Sequence, residues 1–359
     1  MTDIDLFIGH FIDSNSGELP VGISHAGNYY QLKVRSILEI RHSISLVYGD
    51  QDFSETSEDR LHYMILKHGR HFSNFFSIVR NLFSLSRFIK QGSSILFYNL
   101  SIYDLFYFAY ALQKKAKIVV LLTDAEFLQS GTLKDRFISK FLSHAHGILS
   151  LREIPALKRL DSKIEIMPGI VSQVEGKVVS QKKAGYVLLS GSLGITNGLV
   201  LALDFFSDQS CLQLIITGVP YLMTHPEFER LLEKYACPQI RYLGKLDYPE
   251  YLKVLTSCEY CLSLREPGEP GHQYNFPSKI LEYMSYGILV ISSLKYPELD
   301  DETYFVTEYS KEGLQACFEK VANLPAGQRG DMSRKAWNYV TVHCSHDVFE
   351  RKIDSLYGT

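Results

Sequence analysis

"YNFPSKILEYMSYGILVISS", residues 274 to 293, packs a helix start, one short amphipathic helix and a buried strand into a single stretch. Pro277 suits the first turn of a helix, because its fixed φ fits there and its missing N–H would be unpaired anyway. The helix then begins near Asn275 to Ser278. At about 100° per residue, Ser278, Lys279 and Glu282 share one face while Ile280, Leu281 and Met284 turn inward. Gly287 ends the helix and "ILVISS" enters a sheet. Free N–H groups of the first turn and the positive end of the macrodipole make a site for an anion such as phosphate. Lys279 adds a mobile cation, Ser278 a hydroxyl, and Glu282 a carboxylate one turn on, spaced to accept from the vicinal hydroxyls of a sugar. The set describes a nucleoside diphosphate. The alternative is a plain helix start with Lys279 and Glu282 as a solvated i,i+3 pair.

Upstream, "YCLSLREPGEPGHQYNFPSK" is a buried strand ending at Arg265, then a Gly/Pro-rich loop returning to Lys279. Open α/β sheets bind ligands at strand C-termini, and an Arg fork there suits a pyrophosphate, so Arg265 and Lys279 are expected to neutralise one leaving group. Further out, "DLFIGHF", "SILFYNL", "KIVVLLT", "GILSL", "YVLLSGS" and "QLIITG" are apolar runs of the kind buried on both faces of a parallel sheet, with helical patterns between them. The fold class is therefore α/β, doubly wound. A polar and Gly-containing lapse at 172–186 marks a seam, giving an N-terminal domain 1–175, a C-terminal domain 183–338 and a closing helix 339–359.

A chain of 359 residues, 46% hydrophobic and 21% charged, has room for two such domains. Its net charge of −3 argues against nucleic acid as a partner. All six Cys lie in the C-terminal half without the spacing of a disulfide framework, and "MTDIDLFIGHF" lacks the basic start of a signal peptide. A cytoplasmic protein, peripheral on the membrane at most, is the expectation. "CEYC", residues 258 to 261, has no second pair to complete a zinc site, and no metal site is expected.

Four stretches resemble the C-terminal domain of a GT-B glycosyltransferase of the retaining type grouped as glycosyltransferase family 4: "YVLLSGSLGITNGLVLALDFF", "LQLIITGVP", "IRYLGKLDYPEYLKVLTSCEYCLSLR" and "FPSKILEYMSYGILVIS". More loosely, "PVGISHAGNYYQLKVRSILE", with Gly27, resembles the family's Gly-containing loop and first helix, and the C-terminal helices its return onto the N-terminal domain. The resemblance implies two Rossmann-like domains facing across a cleft, a nucleotide-sugar donor held mainly by the C-terminal domain without a required metal, and a saccharide or lipid-linked saccharide acceptor, as in bacterial surface-polysaccharide assembly. It makes Glu282 the ribose-binding Glu of a paired motif whose first Glu is Tyr274 here. Ser192 and Asn197 stand where the family has a phosphate-binding Arg and Lys, and Gly244 to Leu246, with Lys245, where the backbone meets the base. It places Asp124 where the family's N-domain His faces the reacting sugar, with His25 and Asn99 as acceptor-side candidates. Asp124 holds a sugar hydroxyl, acts as a base, or simply caps the next helix. If configuration is retained, the leaving phosphate itself takes the acceptor proton.

From Arg60 to Tyr103 there is no acid, and within 68–91 the cations interleave with Phe and Leu. Such a helix either lies on an anionic membrane or packs with its cations snorkelling. Two rival readings of the whole chain are a nucleotide-sugar epimerase on the same fold and a non-catalytic nucleotide-binding or partner subunit.

Overall fold

The computed structural model describes residues 3–12, 25–48, 61–66, 71–125, 128, 132–171, 183–276 and 278–358. Two compact units emerge, Met1–Met167 with His346–Thr359, and Pro168–Ser345.

In the first unit, strands β1 (Ile4–Gly9), β2 (Ile40–Tyr48), β3 (Leu61–Leu66), β4 (Ser94–Tyr98), β5 (Lys117–Leu122), β6 (Gly147–Ser150) and β7 (Lys163–Ile166) form one sheet of order β3-β2-β1-β4-β5-β6-β7. Every pairing is parallel. The helices are α1 (His25–Ile37), α2 (His71–Leu85), α3 (Asp104–Gln113) and α4 (Leu133–Leu142). Ile118, Val119, Val120 and Leu121 of β5 are all fully buried, as a strand covered on both faces requires.

In the second unit, β8 (Lys183–Leu193), β9 (Gln213–Pro220), β10 (Ile240–Tyr242), β11 (Cys258–Ser263), β12 (Leu289–Ser292) and β13 (Phe305–Val306) form a parallel sheet of order β10-β9-β8-β11-β12-β13. Around it run α5 (Leu199–Ser207), α6 (His225–Lys234), α7 (Tyr248–Ser257), α8 (Pro270–Tyr274), α9 (Ser278–Ser285), α10 (Lys311–Ala322) and α11 (Ala326–His343). The last helix, α12 (His346–Tyr357), belongs to the first unit.

Strand order reverses between β1 and β4 in one sheet and between β8 and β11 in the other, and ligand crevices of doubly wound sheets open at such points. The unit boundaries differ from those expected at 175/183 and 338/339. Val171 N–H donates to the Cys344 carbonyl at 2.8 Å, and α11 packs against α9, so residues 168–171 and all of α11 stay with the second unit. Residues 172–182 of the expected seam lie outside the described residues, and β8 opens at Lys183, inside that seam. Among the described residues, no helix is long and apolar enough to cross a membrane.

Candidate functional site

Helix α9 starts at Ser278, and Ile280, Leu281 and Met284 are buried while Ser278, Lys279 and Glu282 reach the surface. Pro277 itself lies outside the described residues. At the other end Gly287 takes φ +62°, a left-handed conformation that costs glycine little, and Ile288 N–H donates back to the Tyr283 carbonyl at 3.1 Å. The chain drops from there into β12.

Lys279 reaches from α9 to the end of β8. Its Nζ donates to Ser190 Oγ at 3.0 Å and sits 4.7 Å from the centre of the Tyr251 ring. Its stem crosses Gly191, where an added Cβ would lie 2.8 Å from Lys279 Cε; that glycine has φ +111°. Burial pulls the Lys279 ammonium below its ordinary pKa, and Glu282 opposes the shift. The carboxylate Oε2 of Glu282 lies 3.9 Å from Nζ and accepts from the Tyr251 hydroxyl at 2.9 Å. Ser190 Oγ is also 2.8 Å from the Tyr283 hydroxyl. Burial raises the pKa of both Tyr251 and Tyr283, so both hydroxyls are neutral donors at physiological pH. A cation, a carboxylate and a helix N-terminus thus converge beside the β8/β11 switch point.

Arg265, just past β11, donates from Nη1 to the Asn275 carbonyl at 2.9 Å, and its backbone N–H donates to Ser293 Oγ at 2.6 Å. One arm of its guanidinium therefore fixes the loop leading into α9. Asn197 donates from Nδ2 to the Ser192 carbonyl at 3.0 Å, and its Oδ1 lies 3.1 Å from Nε2 of His272, whose Nδ1 lies 3.1 Å from the Glu266 carbonyl. His272 is buried, which lowers its pKa. Asn197 thereby ties the loop after β8 to α8. Tyr274 ends α8, half-buried, while Lys245 and Ser192 are exposed and Leu246 half-buried. Cys258 and Cys261 are buried in β11 and form no disulfide.

In the first unit, Asn99 and Asp124 follow β4 and β5 and meet. Asn99 Oδ1 accepts from the backbone N–H of Thr123 at 2.8 Å and of Asp124 at 3.3 Å, and its Nδ2 donates to Thr123 Oγ1 at 2.9 Å. The Asp124 carboxylate is 3.4 Å from Asn99 Nδ2. Asn99 holds φ +53°, which asparagine tolerates better than most residues. Asp124 does not cap α4; Thr132 does, accepting from Asp135 N–H at 3.2 Å. Gly27 lies in α1, its carbonyl accepting from Gln31 Nε2 at 3.2 Å, and the side chain of His25 lies outside the described residues.

No family model matches the chain, and no curated protein does. Solved structures match along its whole length. A sucrose-phosphate synthase from Thermosynechococcus elongatus aligns with TM-score 0.69 at 15% identity, covering 98% of each chain. HepE from Anabaena, in complex with UDP, aligns with TM-score 0.70 at 12% identity, covering 99% of each chain. A trehalose-6-phosphate synthase aligns with TM-score 0.69 at 9% identity, again over 99% of each. The chain has the GT-B fold.

Within this GT-B chain, sequence reasoning missed Tyr251, Ser190 and His10. Tyr251 is 28 positions from Lys279 and carries no local signal; only the packing of α7 against β8 and β11 brings it in. His10 had a signal, since it directly follows a buried strand. Its Nε2 lies 3.2 Å from Asp104 Oδ2 and its Nδ1 lies 2.9 Å from the Leu46 carbonyl, at the β1/β4 switch point.

Proposed function

We propose that the protein is a glycosyltransferase that moves a sugar from a nucleoside diphosphate donor to a saccharide or lipid-linked saccharide, with retention, in cell-surface polysaccharide assembly. The observation that carries this reading is the meeting of Lys279, Glu282 and the start of α9 beside the β8/β11 switch point. Cleaving a sugar from its nucleotide puts negative charge on the departing phosphate. Preorganised N–H donors and a cation stabilise that charge, and here the first turn of α9 and the Lys279 ammonium are placed to supply them. Arg265 holds the loop into α9 through the Asn275 carbonyl and adds its positive charge to the diphosphate clamp. Glu282, oriented by Tyr251, accepts from the ribose hydroxyls. Ser278, Tyr274, Asn275, Ser192 and Asn197 line the donor, Lys245 and Leu246 meet the base, and the family resemblance adds Gly27 as a further donor-binding candidate.

On the acceptor side, Asn99 presents Asp124, which holds a hydroxyl of the reacting sugar, and His25 is the second candidate that the family resemblance supplies. No base is needed if the leaving phosphate takes the acceptor proton, and no metal enters this reading. Anabaena HepE has been solved with UDP-glucose, which supports a UDP sugar as the first donor to try.

The test is thermal stabilisation by UDP, GDP, dTDP and CMP, on wild type and Glu282→Ala, followed by transfer and hydrolysis assays with the sugar of the stabilising nucleotide. Stabilisation by one nucleotide, lost in Glu282→Ala, is the expected result. No shift at millimolar nucleotide would remove the donor site. Epimerisation of donor alone, or binding with neither transfer nor hydrolysis, would assign one of the two rival functions instead.

A further inference from the structure

The first unit carries a helical surface that the proposed function does not use. Helices α2, α3 and α4 lie side by side as one layer: Asn81 Nδ2 donates to the Tyr107 hydroxyl at 3.4 Å between α2 and α3, and the rings of Phe108 and Phe141 meet edge-on at 5.9 Å between α3 and α4. The inner side is apolar, with Ile78, Leu85, Phe108 and Ile138 buried. The outer side is apolar too. Phe83 is 75% exposed, Phe106 43%, Leu133 74% and Phe137 53%.

Helices α2 and α4 also expose the cations Arg80, Lys134, Arg136 and Lys140, and the segment just after α2 exposes Arg87 and Lys90. Among the described residues none of the six is in an ion pair. The acids of the three helices are Asp104 and Asp135, and both are buried. The layer is therefore cationic and aromatic with no carboxylate on its outer surface, although the chain as a whole carries a net charge of −3. Single exposed apolar residues need no explanation, but four on one uncompensated cationic layer form an amphipathic patch. Charge decides the occupant. A second copy docking the same patch across a two-fold axis would oppose cation to cation, whereas anionic headgroups neutralise them while the rings enter the acyl boundary.

We propose that the α2–α3–α4 face docks on an anionic lipid bilayer. The expected segment 68–91 supplies only one edge of it; residues 68–70 and the side chains of 71–77 lie outside the described residues, and α4 supplies the opposite edge. Each basic side chain near an anionic surface adds about fivefold to binding, and the effect decays within about 10 Å at 0.1 M salt.

The full chain would be sedimented with phosphatidylcholine vesicles, with and without about a third of phosphatidylglycerol, at low and high salt. Two double variants, Arg80→Glu with Arg136→Glu and Phe83→Ser with Phe137→Ser, would be run alongside. Expected are co-sedimentation with the anionic vesicles alone, loss at high salt, and a fall of about tenfold or more in each variant. Wild-type melting temperature and nucleotide response in both variants would show that the fold and the donor site are intact. Equal binding to neutral vesicles, no binding at low salt, or unchanged binding by both variants would overturn the proposal. So would a concentration-dependent dimer abolished by the Phe changes, which would give the face to a second copy.

Discussion

At the residue scale, the proposed donor site depends on keeping two opposite charges apart. Lys279 and Glu282, three positions apart on one helix, approach to 3.9 Å, and a tighter pair would spend both on each other. Tyr251 prevents this by donating to Glu282 while its ring faces the ammonium. Replacing Lys279 with Ala should lower the transfer rate by about a hundredfold to a thousandfold, the usual cost of losing one leaving-group donor. The melting temperature should change little, because the desolvation that lowers the Lys279 pKa offsets what its bond to Ser190 contributes. Tyr251→Phe keeps the ring and removes the hydroxyl, a hydrogen bond to a charged group of about 1.5 to 3 kcal/mol. Nucleotide affinity measured by calorimetry should then weaken by about tenfold or more. Unchanged affinity would show that Tyr251 does not position Glu282.

At the element scale, strand ends are held by side chains rather than by more sheet. Asn99 accepts both N–H groups that follow β5, and does so in a left-handed conformation. Asn99→Gly keeps that backbone and loses the bonds, whereas Asn99→Ala also adds strain of about 1 to 3 kcal/mol. Both should lose turnover, and only the alanine variant should lose the further stability. Beyond β1, His10 ties the chain to α3 through Asp104. Burial opposes its charge, but the Asp104 carboxylate and the Leu46 carbonyl outweigh that and raise its pKa above 6.5. Both ring nitrogens face acceptors, so the protonated ring satisfies both. Its stabilisation is complete below pH 6.5 and is lost as pH climbs through the raised folded value. Melting curves from pH 6 upward should show wild type losing its advantage over Asp104→Asn across that window. The difference isolates His10 from His146, His272 and His346, whose pKa values burial lowers and which act in the opposite sense.

At the scale of the whole molecule, the first unit is not contiguous in sequence. Helix α12 closes it: Phe349, Ile353 and Leu356 are buried, Lys352 pairs with Glu165 at 2.9 Å, and Lys163 Nζ donates to the Ser355 carbonyl at 2.8 Å. Leu356 packs so closely on β6 that a Cβ added at Gly147 would lie 2.7 Å from it. Phe349→Ala should destabilise this unit by about 3 to 5 kcal/mol. Calorimetry should show the loss in one transition, while the transition stabilised by nucleotide stays in place. A uniform fall of both would mean that the two units melt as one.

How much of this was legible in the chain depended on the range of the interaction. Apolar runs such as "KIVVLLT" and "ILVISS" announced buried parallel strands, and "PSKILEYMSYG" announced a helix with Lys279 and Glu282 on one face and Gly287 at its end, because burial period and left-handed turns are local properties. Strand β2 and the edge strand β3, the extension of β8 to Lys183, and the stay of α11 with the second unit carried weaker signals, since pairing partners rather than composition fix them. Sequence alone thus determined the α/β class and the charged face of α9. Only the tertiary structure decided that Tyr251 and Ser190 meet Lys279, that Asn99 holds the peptide of Asp124, and that three helices pool their cations and rings on one face. Those contacts join residues distant in the chain, and their distances follow from how helices pack on a twisted sheet, which no spacing along the sequence encodes.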